Sequence, residues 1–377
     1  MKTFDTMFSP RLLLVSLLTG SLCCLLTTRQ HAQTVFQTSP GTNNVPGYAG
    51  EAAAAFGFFI LAPGGMNSIG ATTLLSFTGD VQEASALEGM VTSGSPPVET
   101  PHATVIGQNG LTSSQASVAN VSLIGCSNFF SPGTTTITAD FVLSEADAAC
   151  STNGLITSGR SQVSGLAING QPVSVTGQAN QSVALPGGGF AILNEQTPGQ
   201  ASVFVGDKTL TATGLVVNAM HVWLPCNGFE NVVYGTSAAG IGCGFTTNEF
   251  CGDFVTGGGW IRTTMSGAKA NFGVAGGIKN GAFWGHLDYV DHGNGSHVKS
   301  SAVTGYQTDP SDAHCRIVNY DVTINGDPGT AQVRVCDNGE SGDSDGFEIH
   351  LSTGYSAGGV LGGSQPGGGD IQIHHCQ

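Results

Sequence analysis

Apolar and polar side chains alternate along several stretches of this chain, and in an extended strand residues two apart share a face. Over residues 117–124, Ala119, Val121 and Leu123 make one uniformly apolar face. Residues 316–324 set Val318, Tyr320, Val322 and Ile324 against Asn319, Asp321 and Thr323, and Phe347, Ile349 and Leu351 oppose Glu348, His350 and Ser352. One-sided strands of this kind belong to antiparallel sheets with a solvated face, and two such sheets stacked make a sandwich. Residues 215–224 are apolar on both faces apart from Asn218 and His221, the pattern of a central strand covered on both sides. Phe190, Ala191, Ile192 and Leu193 follow a three-glycine turn and predict another strand. Helix is expected only at 145–149 and near 81–87, and the Gly- and Ser-rich stretch 358–369 is expected to be a flexible loop. The predicted fold class is all-β, with two antiparallel β-sandwich-like domains.

The start of the chain has a different pattern. Lys2 and Arg11 precede an unbroken apolar run over 12–26, which gives way to polar residues, the order of a secretory signal peptide. A run of this length falls short of the roughly 20 residues that span a bilayer as a helix. Cleavage is expected after Ala32, which makes 1–32 the signal peptide. The best internal boundary lies between Gly240 and Cys251, giving domains over 33–245 and 246–377. No other segment predicts a membrane span, and the C-terminal residues carry no apolar tail, basic cluster or wall-sorting motif. Secretion, or residence at the cell surface, is the expected address.

Composition narrows the partners. A net charge of -15 with few Lys and Arg argues against nucleic acid and anionic membranes. Eight of the ten cysteines follow the signal segment that holds Cys23 and Cys24, and an even number in an exported chain predicts disulfides. No C-x-x-C spacing points to zinc instead. A strand of seven residues is about 23 Å long, too far for sequential cysteines at its two ends to meet. That argues for Cys126 with Cys226 and Cys150 with Cys243, and Cys251 and Cys376 are expected to close the second domain. Asn325-Gly326 is the preferred pair for a two-residue hairpin turn, with Ile324 opposite Asp327. Counting back along both strands sets Val318 opposite Val333, Tyr320 opposite Ala331, and Cys315 opposite Cys336, within disulfide reach.

Two stretches resemble known families of exported bacterial proteins. Gly47-Tyr48-Ala49-Gly50, residues 116–121, Leu185-Pro186-Gly187-Gly188-Gly189 and residues 218–222 resemble a choice-of-anchor P domain. Residues 251–261, Ala270-Asn271-Phe272-Gly273 and residues 285–293 resemble the post-COAP domain that commonly follows it. The resemblance implies an exported or cell-surface role without implying a chemistry.

Candidate chemistry is sparse. Asp337, Glu340, Asp343 and Asp345 lie within one turn, and hard oxygen ligands at such spacing suit Ca²⁺; the competing reading is an exposed turn shaped by Asp, Asn and Gly. His286 and Asp288 share a strand face, a reasonable start for a zinc or copper set, with a structural role for the histidines as the alternative. Trp260 and Trp284 offer flat rings for stacking on a sugar, or plugs for a sandwich core. No nucleophile elbow or H-E-x-x-H motif occurs. The expected function is therefore a secreted or surface-associated structural or adhesive protein without enzymatic activity, whose partner is an extracellular glycan or a cell-envelope component. The alternatives are a carbohydrate-binding module and an extracellular hydrolase with a scattered site.

Overall fold

Short alternating runs broken by glycine cannot supply the continuous apolar stripe of a helix, and in the computed structural model the elements among the described residues are all strands. Residues 47–375 are described, apart from 60–66, 77, 92–95, 126–133, 152–153, 187, 206–207, 225–229, 244–250, 340–341 and 363–366. The expected signal peptide, Cys126, Cys226, Cys376 and Glu340 fall outside the described residues.

The first half runs through β1 (Gly47–Phe59), β2 (Asn67–Ala71), β3 (Asp80–Ser85), β4 (Glu88–Gly89), β5 (Val98–Gln108), β6 (Leu111–Gly125) and β7 (Thr135–Ser151). It continues with β8 (Gly154–Ser164), β9 (Ala167–Ile168), β10 (Gln171–Pro172), β11 (Gln181–Ala184), β12 (Phe190–Val205), β13 (Lys208–Leu224) and β14 (Glu230–Gly242). A front sheet has the order β11-β12-β13-β14-β1-β2, and a middle sheet the order β10-β9-β7-β6-β5-β3, with β4 on β5 and β8 on β7. They face each other across a core that joins Val118, Val121, Leu123 and Ile137 of the middle sheet to Leu193, Met220, Val222 and Tyr234 of the front one. Each fully buried side chain of this size contributes roughly 1.5–3 kcal/mol. Cys150 and Cys243 are bonded, tying the end of β7 to the end of β14 and so one sheet to the other.

The second half holds β15 (Phe254–Ile261), β16 (Ala270–Lys279), β17 (Ala282–Asp291), β18 (Ser296–Asp309), β19 (Asp312–Ile324), β20 (Asp327–Cys336), β21 (Gly346–Leu351), β22 (Ser356–Val360) and β23 (Gly367–His374). These make one sheet, β22-β21-β20-β19-β18-β17-β16-β15-β23, which curls into a nearly closed barrel. Curling lets Phe272 of β16 stack on Phe347 of β21, with ring centroids 3.9 Å apart. The ends approach where Gly358 N–H donates to Thr263 O at 3.3 Å.

Asn-Gly pairs set the hairpins. At Asn109-Gly110, Asn169-Gly170, Asn280-Gly281 and Asn325-Gly326 both residues have positive φ, from 50° to 93°, the geometry whose twist matches that of paired strands. The last of these puts Ile324 opposite Asp327 and Cys315 opposite Cys336, and the two cysteines are bonded.

Three expectations are corrected. Residues 145–149 lie in β7 and 81–85 in β3, because ladder pairing on neighbouring strands overrides local helix preference. The stretch 358–369 is strand at both ends, in β22 and β23. The apolar face of Ala119, Val121 and Leu123 is split. Asn120 sits mid-strand at φ 51°, so Val118, Val121 and Leu123 enter the core while Ala119 packs outward with Phe141 and Leu143.

Candidate functional site

The outer face of the middle sheet lies against the barrel wall made by β15, β16, β17 and β23, and small residues bring the two surfaces close. A Cβ at Gly258 would collide with Ser117 Oγ, and one at Gly273 would stand 2.8 Å from His102 Cβ. Polar side chains from both halves are buried in this joint, among them His102, Gln115, Glu145, Asn271, Asp288 and Asp370. They fall into three clusters.

In the first, Glu83 of β3 and His102 of β5 meet His286 and Asp288 of β17. His286 Nε2 stands 2.9 Å from Asp288 Oδ2, and His102 Nδ1 stands 3.7 Å from Glu83 Oε1. Neither contact has hydrogen-bond alignment. Glu83 Oε1, both His102 nitrogens, His286 Nε2 and both Asp288 oxygens are buried without a hydrogen-bond partner among the described residues. Burial pushes the His102 imidazole down to about 3 and so holds it neutral. Burial also works against a charge on His286, but the adjoining Asp288 and Glu83 carboxyls outweigh it and raise its pKa.

In the second, Gln115 Nε2 donates to Glu145 Oε1 at 2.8 Å and to Asp370 Oδ2 at 3.0 Å. Arg160 of β8 bridges the same two acids, pairing through Nε with Glu145 and through Nη2 with Asp370 at 2.6 Å. Burial first, and then the charge of Asp370, raise Glu145 well above the ordinary carboxylate range. In the third, Glu99 Oε2 accepts from Asn271 Nδ2 at 2.9 Å and lies 3.0 Å from His292 Nε2.

Of the residues singled out in sequence, His286 and Asp288 do come together, but their neighbours are Glu83 and His102 of the other half. Among the described residues no three His, Cys, Asp or Glu side chains are placed to hold a metal ion. Glu340 of the acidic turn lies outside those residues. The acidic turn aims its carboxylates at backbone: Asp345 Oδ1 accepts from Asn338 N at 2.9 Å, Asp345 Oδ2 from Ile371 N at 2.8 Å, and Asp337 Oδ2 from Ile373 N at 2.9 Å. Asp343 does not join them.

The indoles are likewise inside the joint. Trp260 packs against Ala119, Phe141 and Leu143, with the Lys269 ammonium 5.4 Å and the Arg262 guanidinium 5.7 Å from its ring centroid. Trp284 joins Val81, Ile106 and Phe254, edge-on to the Phe254 ring at 5.5 Å. They sit in separate apolar clusters and make no shared sugar platform. Cys251 is disulfide-bonded. The Gln115, Glu145, Arg160 and Asp370 cluster was missed in sequence: Asp370 is the one acid of its strand, but Glu145 shares β7 with Asp140 and Asp147 and does not stand out.

Compared with family models, characterised proteins and solved structures, the chain finds no match. No helix among the described residues is long and apolar enough to cross a membrane. The disulfides are compatible with an extracellular location.

Proposed function

We propose that this chain is an extracellular structural or adhesive protein without enzymatic activity, of the choice-of-anchor kind that its sequence resembles. The observation that carries this reading is the commitment of its candidate site residues to internal contacts. The acidic turn caps a strand, and Trp260, Trp284, His286 and Asp288 are packed between the two halves. Rigid strands locked by disulfides suit a role in which outward loops and sheet faces meet the surroundings.

The test uses the mature chain. Retention on isolated cell-envelope material, together with no turnover of polysaccharides or esters, is the expected result. Turnover that disappears on substitution of a single Asp or Glu would replace this reading with a hydrolase. Selective glycan binding lost when Trp260 and Trp284 are both changed to Ala would replace it with a carbohydrate-binding module.

A further inference from the structure

The geometry points to Asn280, at the tip of the β16–β17 hairpin, as a site where the chain modifies itself: its carboxamide closes onto the Gly281 backbone nitrogen, and water then opens the ring to an acid. Six Asn-Gly pairs lie among the described residues, starting at Asn109, Asn169, Asn280, Asn294, Asn325 and Asn338. Glycine favours ring closure in all of them, because no side chain obstructs the attacking nitrogen. All six asparagines are exposed, so exposure does not separate them. Nor does the backbone: Asn109, Asn169, Asn280 and Asn325 share one turn geometry, with φ from 50° to 53°.

What separates them is how the reacting groups are held. Asn109 Nδ2 donates to His375 O at 3.3 Å and Asn338 Nδ2 to Ser344 O at 2.7 Å. Asn169, Asn294 and Asn325 accept through Oδ1 from the backbone N–H of Thr136, Ser296 and His297, at 2.8, 2.9 and 2.7 Å. Each of these carboxamides must leave its partner before it can turn onto its own chain. Three glycine N–H groups are engaged as well: Gly110 donates to Tyr48 Oη at 2.8 Å, Gly295 to Asp291 O at 2.9 Å and Gly339 to Asp337 Oδ1 at 3.2 Å. Neither the Asn280 carboxamide nor the Gly281 N–H has a hydrogen-bond partner among the described residues. Ring closure needs rotation about the Asn280 Cα–C bond, and a Cβ at Gly281 would meet nothing within 4 Å, so the tip has room to turn.

The step needs only water. Hydroxide takes the Gly281 amide proton, the nitrogen attacks Asn280 Cγ to form a new C–N bond, and the side-chain nitrogen takes a proton and leaves as ammonia, which restores the hydroxide. Water then adds to either carbonyl of the five-membered imide. Opening at the side-chain carbonyl gives aspartate, and opening at the main-chain carbonyl gives isoaspartate. One water is consumed, one ammonia is released, and position 280 gains a negative charge.

The place matters for the joint between the halves. Lys279 pairs with Asp80 Oδ1 at 2.9 Å and donates to Val81 O at 2.8 Å, both on β3. Trp284, opposite Gly277 in the same hairpin, packs with Val81, Ile106 and Phe254. A carboxylate at position 280 competes with Asp80 for the Lys279 ammonium. Isoaspartate also lengthens the turn by one main-chain atom, which disturbs the pairing of Ile278 with Phe283.

Peptide mapping by mass spectrometry tests this on the mature chain, held at mildly alkaline pH with and without denaturant, so that each site is read against its own unfolded rate. Each hydrogen bond that must break first should slow a site about 2- to 12-fold. Asn280 should therefore keep most of its unfolded rate in the folded chain while the other five lag, with Asn109, Asn294 and Asn338 slowest. Asn153 and Asn227 lie outside the described residues and take no part in the comparison. Converted chain, separated by its added charge on anion exchange, should show faster amide exchange over β3 and at Ile278 and Phe283 than unconverted chain. Asn280→Gly suits the same turn, since glycine adopts positive φ freely, and should abolish the early conversion. If Asn280 is slowed by folding as much as the other five, or if converted chain exchanges like unconverted chain, the inference is overturned. Should Asn280→Gly fail to fold, the comparison within the unaltered chain decides the matter alone.

Discussion

Asp345 Oδ2 accepts the backbone N–H of Ile371 at 2.8 Å, and this bond gives the acidic turn its structural task. Ile371 belongs to β23, which pairs with β15 along one edge only. Its other edge would present a row of free N–H groups, a template for pairing with another chain. Gly369, Ile371 and Ile373 donate instead to Gln162 Oε1, Asp345 Oδ2 and Asp337 Oδ2, at 3.0, 2.8 and 2.9 Å. Three side chains thus take the place of a tenth strand.

Removing one of these caps should be costly. Asp345→Ala leaves a buried N–H without an acceptor and is expected to lower stability by about 1–3 kcal/mol in chemical denaturation. A chelator should leave the melting temperature of the unaltered protein where it is. A drop on chelation would restore the turn as a calcium site.

Glu51 on β1 gives a cleaner pH effect, because burial alone pushes its carboxyl up to about 7. The folded state then holds a proton that the unfolded chain releases near 4.5. Stability from this group is present below that ordinary value and lost as pH rises through about 7. Glu51→Gln should stabilise the protein by roughly 2–3 kcal/mol at about pH 8 and change little at about pH 5, read from denaturant midpoints at the two pH values.

Two bonded cysteine pairs among the described residues differ in the loop each closes. Cys150 and Cys243 are separated by 93 residues, Cys315 and Cys336 by 21. Loop entropy assigns them about 4.6 and about 3.3 kcal/mol. The hairpin turn at Asn325-Gly326 already restricts the shorter loop, so the measured gap should be at least this wide. Replacing each pair by Ala and comparing urea midpoints checks the order, and a larger loss at Cys315 and Cys336 would contradict it.

The hairpin around Asn325-Gly326 was legible in sequence because its turn chemistry and its alternation agree, down to Cys315 opposite Cys336. The long strands of the first half were harder. Asn120 and Asn194 sit mid-strand with φ of 51° and 49°, and after such a residue the alternation continues on the other face. Nothing local marks these asparagines as different from those in turns. The joint was hidden for another reason. Glu145 and Asp370 are 225 positions apart, and each looks like a solvent-facing charge until the two halves are docked.

Glycine decides how closely those halves dock. A Cβ at Gly258 would collide with Ser117 Oγ, so Gly258→Ala must push β15 away from β6. Separation there also strains the neighbouring contact of Gly273 with His102, where the close approach leaves no slack. The expected loss is about 1–3 kcal/mol, the usual range for overpacking, and it should appear as faster amide exchange in the joint while the two cores stay protected. Ser117→Gly removes the obstructing atoms without touching either core. Combined with Gly258→Ala it should recover most of the loss, a coupling that a double-mutant cycle reads directly. Additive losses would mean that Gly258 serves its own half of the molecule and does not set the distance to the other.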